Sequence, residues 1–371
     1  MRIRSNTSIR KQRGAVLIIV LWTAALLTVL VAAMAAKVRL SAQTVANNYD
    51  GATGWMMVMD AMNKAKAEIL YEAMPASIEI EPVRDVDGEI RNTEYRFNGQ
   101  PITLSYAGAD DMVVRIYNHA GKINLNRISR TILRMLIEER LGGIEQASPV
   151  EVQALMDSWT DWTDLNSLSS GPGGAESVYY LEQDPPYSAR NNPDFETVEE
   201  ILHIRGFAEL LEGVDVDAAF TIYGSERTIN LNYATREAMR LLPGMTEEVI
   251  ENIIAYRELR DINDAADIAE IIPFEILREV TNWFSTSSSD IYSVYVYPKA
   301  SEEAVDRSVE SALEAGEDEF INPDPVTHAY MEVIQSASIQ SLPRVLKVDP
   351  YARLPDTAPP RLHEEDYFFN P

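Results

Sequence analysis

The chain has 371 residues, 46% of them apolar, which is enough for a large core and too apolar for a disordered composition. Its formal charge is −26, so its surface repels nucleic-acid phosphates, and DNA or RNA is not an expected partner. It has no cysteine, which excludes disulfides, thiol catalysis and thiolate metal sites.

Residues 1–14 carry Arg2, Arg4, Arg10, Lys11 and Arg13 and no acid. Ala15 to Ala36 then runs without a charge. As a helix that run is about 33 Å long, enough to cross a bilayer core. Basic residues before it, and only Lys37 and Arg39 close behind, place the N-terminus in the cytoplasm and the body outside. Three fates compete for it. A secretory signal would use Ala33-Met34-Ala35 as its cleavage site, but the run is long for one. A plain signal anchor is the second. The third is a leader cut between Gly14 and Ala15, where glycine offers no side chain to obstruct a peptidase.

The next segment favours the third. No proline occurs before Pro75, and residues 37–71 read as a helix with Val38, Val45, Trp55, Val58, Met59, Met62, Ile69 and Leu70 apolar. Gly51 and Gly54 weaken it by about 1 kcal/mol each relative to alanine. A membrane helix that runs straight into an amphipathic one is the spindle of a pilin, half in lipid and half packed on a sheet.

After Pro75 the period changes. Ile78 to Glu81, Glu89 to Phe97, Ile102 to Tyr106 and Met112 to Tyr117 are expected strands, with Asp87-Gly88 a hairpin turn. Residues 126–284 read as helical. Helices are expected at Ile128–Leu141, Val150–Thr160, Thr197–His203, Ala208–Leu211, Thr235–Leu242, Thr246–Leu259, Asp264–Ile271 and Phe274–Phe284. Strand character returns at Asp290–Tyr297 and within Ala329–Val348. The acidic stretch 300–320 reads as an insertion, and the proline-rich and charged residues 349–371 as an irregular tail. The expected fold is α+β and pilin-like: a long N-terminal helix on an antiparallel sheet, with a large all-α domain at 126–284 dividing the sheet into 75–125 and 285–348.

Gly121-Lys122-Ile123-Asn124-Leu125-Asn126 is echoed by Arg227-Thr228-Ile229-Asn230-Leu231-Asn232, each before a helix. The second asparagine of each copy is expected to cap that helix. Leu241-Leu242-Pro243-Gly244-Met245, with Val249, Ile253-Ile254 and Arg257 after it, resembles a helix-hairpin-helix, and Leu202 to Phe207 a looser copy. Glu247, Glu248 and Glu251 directly succeed the turn, so the hairpin is read as a packing unit.

The loop after Thr160 holds Asp161, Asp164, Asn166 and Glu176, with Gly173-Gly174 allowing the backbone to fold back. Hard oxygen donors in a flexible loop suit calcium, with Asp157 and Asp184 as further candidates. The loop is not an EF-hand, lacking its glycine and terminal glutamate. Enzyme signatures are missing. His119, His203, His328 and His363 are scattered, and no HExxH, G-x-S-x-G, P-loop or G-x-G-x-x-G occurs, so no enzyme is expected.

Taken in order, these motifs carry a resemblance. They are Arg13-Gly14 before the apolar helix, Gly121 to Asn126, and Asp161-Trp162-Thr163-Asp164 with Gly173-Gly174-Ala175-Glu176 and Tyr179-Tyr180. Thr197 to Leu202 before Arg205-Gly206, and Ile229 to Asn232 before Leu242-Pro243-Gly244, complete the set. The chain resembles the minor pseudopilin K family of bacterial type II secretion from Arg13 to about Tyr297.

The resemblance implies cleavage by prepilin peptidase between Gly14 and Ala15, methylation of the new amine, and a single-pass inner-membrane protein with a periplasmic body. It implies that the loop from Asp161 to Glu176 is a calcium region. It implies minor pseudopilins I and J and other pseudopilus subunits as partners, in a tip complex that starts the pseudopilus and serves protein export. Most pilins place glutamate at the fifth mature position, and here Ile19 stands there. An apolar residue cannot pair with a neighbour's amine in lipid, which fits a subunit with none above it. The chain departs from the pattern with Ala15 at the first mature position, and with Asn166 where a third aspartate is usual. A minor pilin of type IV pili has the same architecture, and a single-pass periplasmic binding module is the reading from another class.

Overall fold

The structure is a computed structural model that describes residues 13–72, 97–102, 111–299, 328–336 and 342–355. It divides into two units, Met1–Met57 and Val58–Pro371. The first holds most of helix α1 (Arg13–Glu72). Its apolar side chains are exposed, among them Leu17, Trp22, Leu26 and Val29, and Val38, Val45 and Trp55 are exposed as well. Among the described residues it is the one helix long and apolar enough to cross a membrane.

The second unit begins where α1 acquires a buried stripe. Ala61, Met62, Ala65 and Ile69 recur at helical spacing and pack on Val114, Ile116, Val294, Val296 and Ile334. Burying Met62 and Ile69 contributes about 1.5–3 kcal/mol each. Lys66 pairs with Glu332 at 2.5 Å beside this stripe.

The sheet partner of α1 has five strands. In chain order the strands are β1 (Asn98–Ile102), β2 (Met112–Asn118), β3 (Ile123–Asn124), β4 (Phe220–Thr221), β5 (Ile291–Pro298), β6 (His328–Gln335) and β7 (Arg344–Arg353). The main sheet runs β1-β2-β5-β6-β7 and is antiparallel throughout. β3 and β4 form a separate parallel pair. The sheet's second face carries Tyr117, Tyr295, Tyr297, Met331 and Val333.

Two boundaries differ from expectation. β3 lies within 75–125 but pairs with β4 in the helical region, not with the main sheet. Residues 349–353 are strand, not irregular tail. Pro350 misleads there, because an edge strand accepts a residue that donates no hydrogen bond. The strands expected at 78–81 and 89–96, the turn at Asp87-Gly88, the stretch 300–320 and residues 356–371 lie outside the described residues.

Residues 119–290 run between the neighbouring strands β2 and β5 and hold all the helices after α1 among the described residues. The helices after α1 are α2 (Arg130–Arg140), α3 (Pro149–Thr163), α4 (Ser177–Leu181), α5 (Phe207–Leu210), α6 (Val216–Ala219), α7 (Arg236–Met239), α8 (Glu247–Leu259), α9 (Ala265–Ile271) and α10 (Phe274–Val280). Ser129 caps α2, which buries Ile132, Leu133, Leu136 and Ile137 on one face. Thr246 caps α8, and Asp264 and Asp267 form a capping box at α9.

The echoed motif proves to be one structure built twice. Asn124 Oδ1 accepts from Asn126 N at 3.0 Å, and Asn230 Oδ1 accepts from Asn232 N at 3.0 Å. Asn124 Nδ2 donates to Tyr223 O and Asn230 Nδ2 to Ser287 O. Ile123 pairs in parallel with Phe220, and Ile229 bridges in parallel to Phe284. The second asparagines do not cap helices, which corrects the sequence expectation. Ser129 and Thr235 take the cap positions, because they sit one residue before each first turn. Asn126 instead accepts from Phe195 N at 2.6 Å and donates to Ile222 O at 3.0 Å. Asn232 accepts from Ile262 N at 2.8 Å and donates to Ile262 O at 3.0 Å. The copies interlock at Gly121, where an added Cβ would lie 1.9 Å from Tyr233 O.

Asn126→Ala removes the side-chain partner of two part-buried backbone groups, Phe195 N and Ile222 O. We predict a loss of about 2–3 kcal/mol in urea denaturation. A loss under about 0.5 kcal/mol would mean that the amide is not holding the Phe195 segment.

Candidate functional site

The acidic loop begins inside a helix. α3 extends to Thr163, beyond the expected end at Thr160, so Asp161 sits in its last turn and is fully buried. Asp161 Oδ1 accepts from Ser170 N at 2.7 Å, and its Oδ2 has no hydrogen-bond partner. Gly174 lies against that free oxygen, where an added Cβ would stand 2.2 Å from it. Glu176 is half-buried. Its Oε2 accepts from Asn191 Nδ2 at 3.3 Å, and its Oε1 is buried without a partner.

Asp164 and Asn166 are placed differently. Asp164 Oδ1 accepts from Asn166 N at 3.1 Å and Oδ2 from Asn166 Nδ2 at 2.8 Å. Asn191 Nδ2 also donates to Asn166 O, which ties this turn to Glu176. Asp157 Oδ1 accepts from Gln153 Nε2 at 2.7 Å, and Asp184 is exposed. Among the described residues, no three acidic or histidine side chains form a group that could hold a metal ion. Of the four expected ligands, Asp161 and Glu176 each carry a buried oxygen without a hydrogen-bond partner, and Asp164 and Asn166 bond each other.

Residues that the sequence reading named as motif positions, without a structural role, hold the loop's base. Trp162 Nε1 donates to Glu200 Oε1 at 2.9 Å. Glu200 Oε2 pairs with Arg190 at 3.1 Å and accepts from Glu196 N at 3.0 Å. Asp267 Oδ2 does the same for Asn263 N at 2.8 Å in the second copy. Trp162 meets Tyr180 edge-on at 5.0 Å, and Arg205 lies over the Tyr179 ring at 4.7 Å. Burial pushes the Tyr180 phenol up to about 12, against a hydrogen bond from the Arg205 backbone. The Thr-Val-Glu-Glu run at 197–200 was the available signal, since its second glutamate lies three residues after a threonine.

Residues 164–194 have almost no counterpart in the second copy, where only Arg260 and Asp261 separate α8 from Ile262. Gly14 and Ala15 fall at the start of α1.

Residues 121–212 match the family model for type II secretion system (T2SS), protein K. A curated relative, type II secretion system protein K of Pseudomonas aeruginosa, is 27% identical over 201 residues, covering 52% of this chain. That match spans 57% of the relative's length. A crystal structure of the GspK-GspI-GspJ complex from the type 2 secretion system of enterotoxigenic Escherichia coli aligns over 82% of this chain and 98% of that one. Its sequence identity is 10% and its TM-score 0.46.

Glu200→Ala leaves the Trp162 indole without its acceptor and Arg190 with Glu196 as its one remaining carboxylate among the described residues. We expect about 3 kcal/mol of lost stability, with a shift in tryptophan emission. Wild-type emission together with wild-type stability would show that Glu200 is not the keystone of this region. From its motifs, from the domain at residues 121–212 and from its curated relative, this chain resembles the protein K family of type II secretion.

Proposed function

We propose that this chain is a minor pseudopilin of type II secretion, a structural subunit rather than an enzyme, that sits at the pseudopilus tip, starts assembly and takes part in protein export across the outer membrane. The observation that carries this reading is one chain holding both the protein K domain at 121–212 and a helix whose first part is apolar and whose last part packs on an antiparallel sheet. We read the helical residues 126–284 as a domain inserted in a pilin sheet, with α7 and α8 as a helix-hairpin-helix packing unit. Its partners are minor pseudopilins I and J and the other pseudopilus subunits. The likeness of this chain to the protein K family supports them.

The apolar run anchors the subunit in the inner membrane, with the N-terminus cytoplasmic and the body periplasmic. Prepilin peptidase cuts between Gly14 and Ala15 and methylates the new amine. Ile19 makes no charge pair with a neighbour in lipid, and the helical domain blocks stacking above it. Calcium is the ion we assign to the loop. Asp161 and Glu176 would hold it through their orphan oxygens, with Asp164 and Asn166 as further oxygen donors. Bound there, it would supply the positive charge that two buried carboxylates lack.

Two measurements test this reading. Mass spectrometry of the protein extracted from membranes of its native host is expected to give a chain that begins at a methylated Ala15. An intact Met1, or a start near residue 36, would sink the pseudopilin reading. Chelation with EGTA is expected to lower the melting temperature by about 3–6 °C, and Asp161→Ala to remove that shift. A melting curve that chelation leaves unchanged would remove calcium from the account and leave the pseudopilin reading standing.

A further inference from the structure

A cavity of about 210 Å³ lies at the seam between the main sheet and the helical block, outside the acidic loop. Tyr295 of β5 and Lys347 of β7 line it from the sheet, and Lys122, Asp217 and Tyr223 from the block.

Lys122 and Tyr295 bring buried donors to it, and Glu196 lines it with Asp217 on the acceptor side. Lys122 is only 3% exposed, and its Nζ donates to Asp217 O at 2.7 Å. An ammonium has three N–H groups, so two of these remain without a carboxylate among the described residues. The Asp217 carboxylate is turned to Lys347, whose Nζ lies 3.2 Å from its Oδ1 and 3.3 Å from Glu199 Oε1. Tyr295 is 1% exposed, and among the described residues its hydroxyl makes no hydrogen bond. The His119 ring is already satisfied on both sides, with Thr221 Oγ1 and Ser293 Oγ each at 2.7 Å. Buried donors left unmatched are costly, and an acceptor-rich guest removes that cost.

We propose that this cavity is a binding site for a small oxyanion, a carboxylate or phosphate, held by Lys122 Nζ and the Tyr295 hydroxyl. Pockets with convergent polar groups at a junction between packed units are where small ligands bind. The guest would bond groups from both sides of the seam and fix the block on the sheet.

The charge state of Lys122 sets the pH range. Burial pushes its pKa down to about 8, against the pull of Asp217, Asp215 and Glu237, and Lys347 pushes it further down. His119, which lines the cavity with Glu196, Tyr223 and Tyr295, is held neutral by burial and by the Lys122 charge. Anion binding needs the ammonium, so affinity is present below pH 8 and falls as pH rises through it.

The test is isothermal titration calorimetry and thermal melting of the full, detergent-solubilised chain. Sodium acetate, sodium succinate and sodium phosphate are titrated against matched sodium chloride. At pH 7 at least one of the three is expected to give saturable heat and raise the melting temperature by about 3 °C. Tyr295→Phe is expected to weaken that binding about fivefold with the anion-free melting temperature unchanged, and Lys122→Met to abolish it. Moving from pH 7 to pH 9 is expected to weaken it about tenfold. Should Lys122→Met fail to fold, Tyr295→Phe and the pH series decide. No saturable heat with any of the three anions overturns the proposal, as does binding that Tyr295→Phe and pH leave unchanged.

Discussion

The helical block depends on two side-chain amides doing the work of a backbone. An asparagine amide offers an acceptor and two donors, the complement of a peptide's N–H and C=O. Asn126 and Asn232 present that complement to the segments at Phe195 and Ile262. The need arises because Phe195, Ile222 and Ile262 lie outside the named helices and strands, where no ladder pairs their backbone groups. A block with such stretches stays folded when buried polar groups find partners by side chain, and the asparagines supply them between segments distant in sequence.

The repetition of this device separates fold from loop. Each copy has the same asparagine turn, the same parallel pairing and the same backward reach of an acidic side chain to a backbone N–H, at Glu200 and at Asp267. The second copy closes its frame across Arg260 and Asp261, so residues 164–194 are not needed to close the first. Asp161, at the root of that extra length, and Glu176, within it, leave carboxylate oxygens unmatched.

Much of this was legible in the sequence where period and chemistry agree. The apolar run of α1, the alternating residues of β2, β5 and β6, and the capped amphipathic helices α2 and α8 each announce themselves locally. The end of β7, residues 349–353, was obscured by Pro350, whose effect depends on whether a strand lies at an edge. The Ile-Asn-Leu-Asn repeat was visible, but not its role, since Asn126 meets Phe195 across a fold that no local rule encodes. Asp161 and Glu176 were nameable as oxygen donors, and the orphaning of one oxygen on each was not. The seam cavity was invisible, because Lys122, Tyr295 and Lys347 converge only after the sheet and the block have packed.

One stitch at the base of the block bears on how the chain reaches its folded state. Asn118 Nδ2 donates to Ser289 O at 2.9 Å, and Ser289 N returns a bond to Asn118 Oδ1 at 3.1 Å, across a separation of 171 residues. Bringing β2 to β5 with the intervening chain unfolded carries a loop-closure entropy of about 4–5 kcal/mol. A block that has already condensed holds its two ends side by side, and the strands then meet as if joined by a short turn. The central pairing of the sheet is long-range by residue number and short-range in space, so an apparently slow topology becomes one of two local steps.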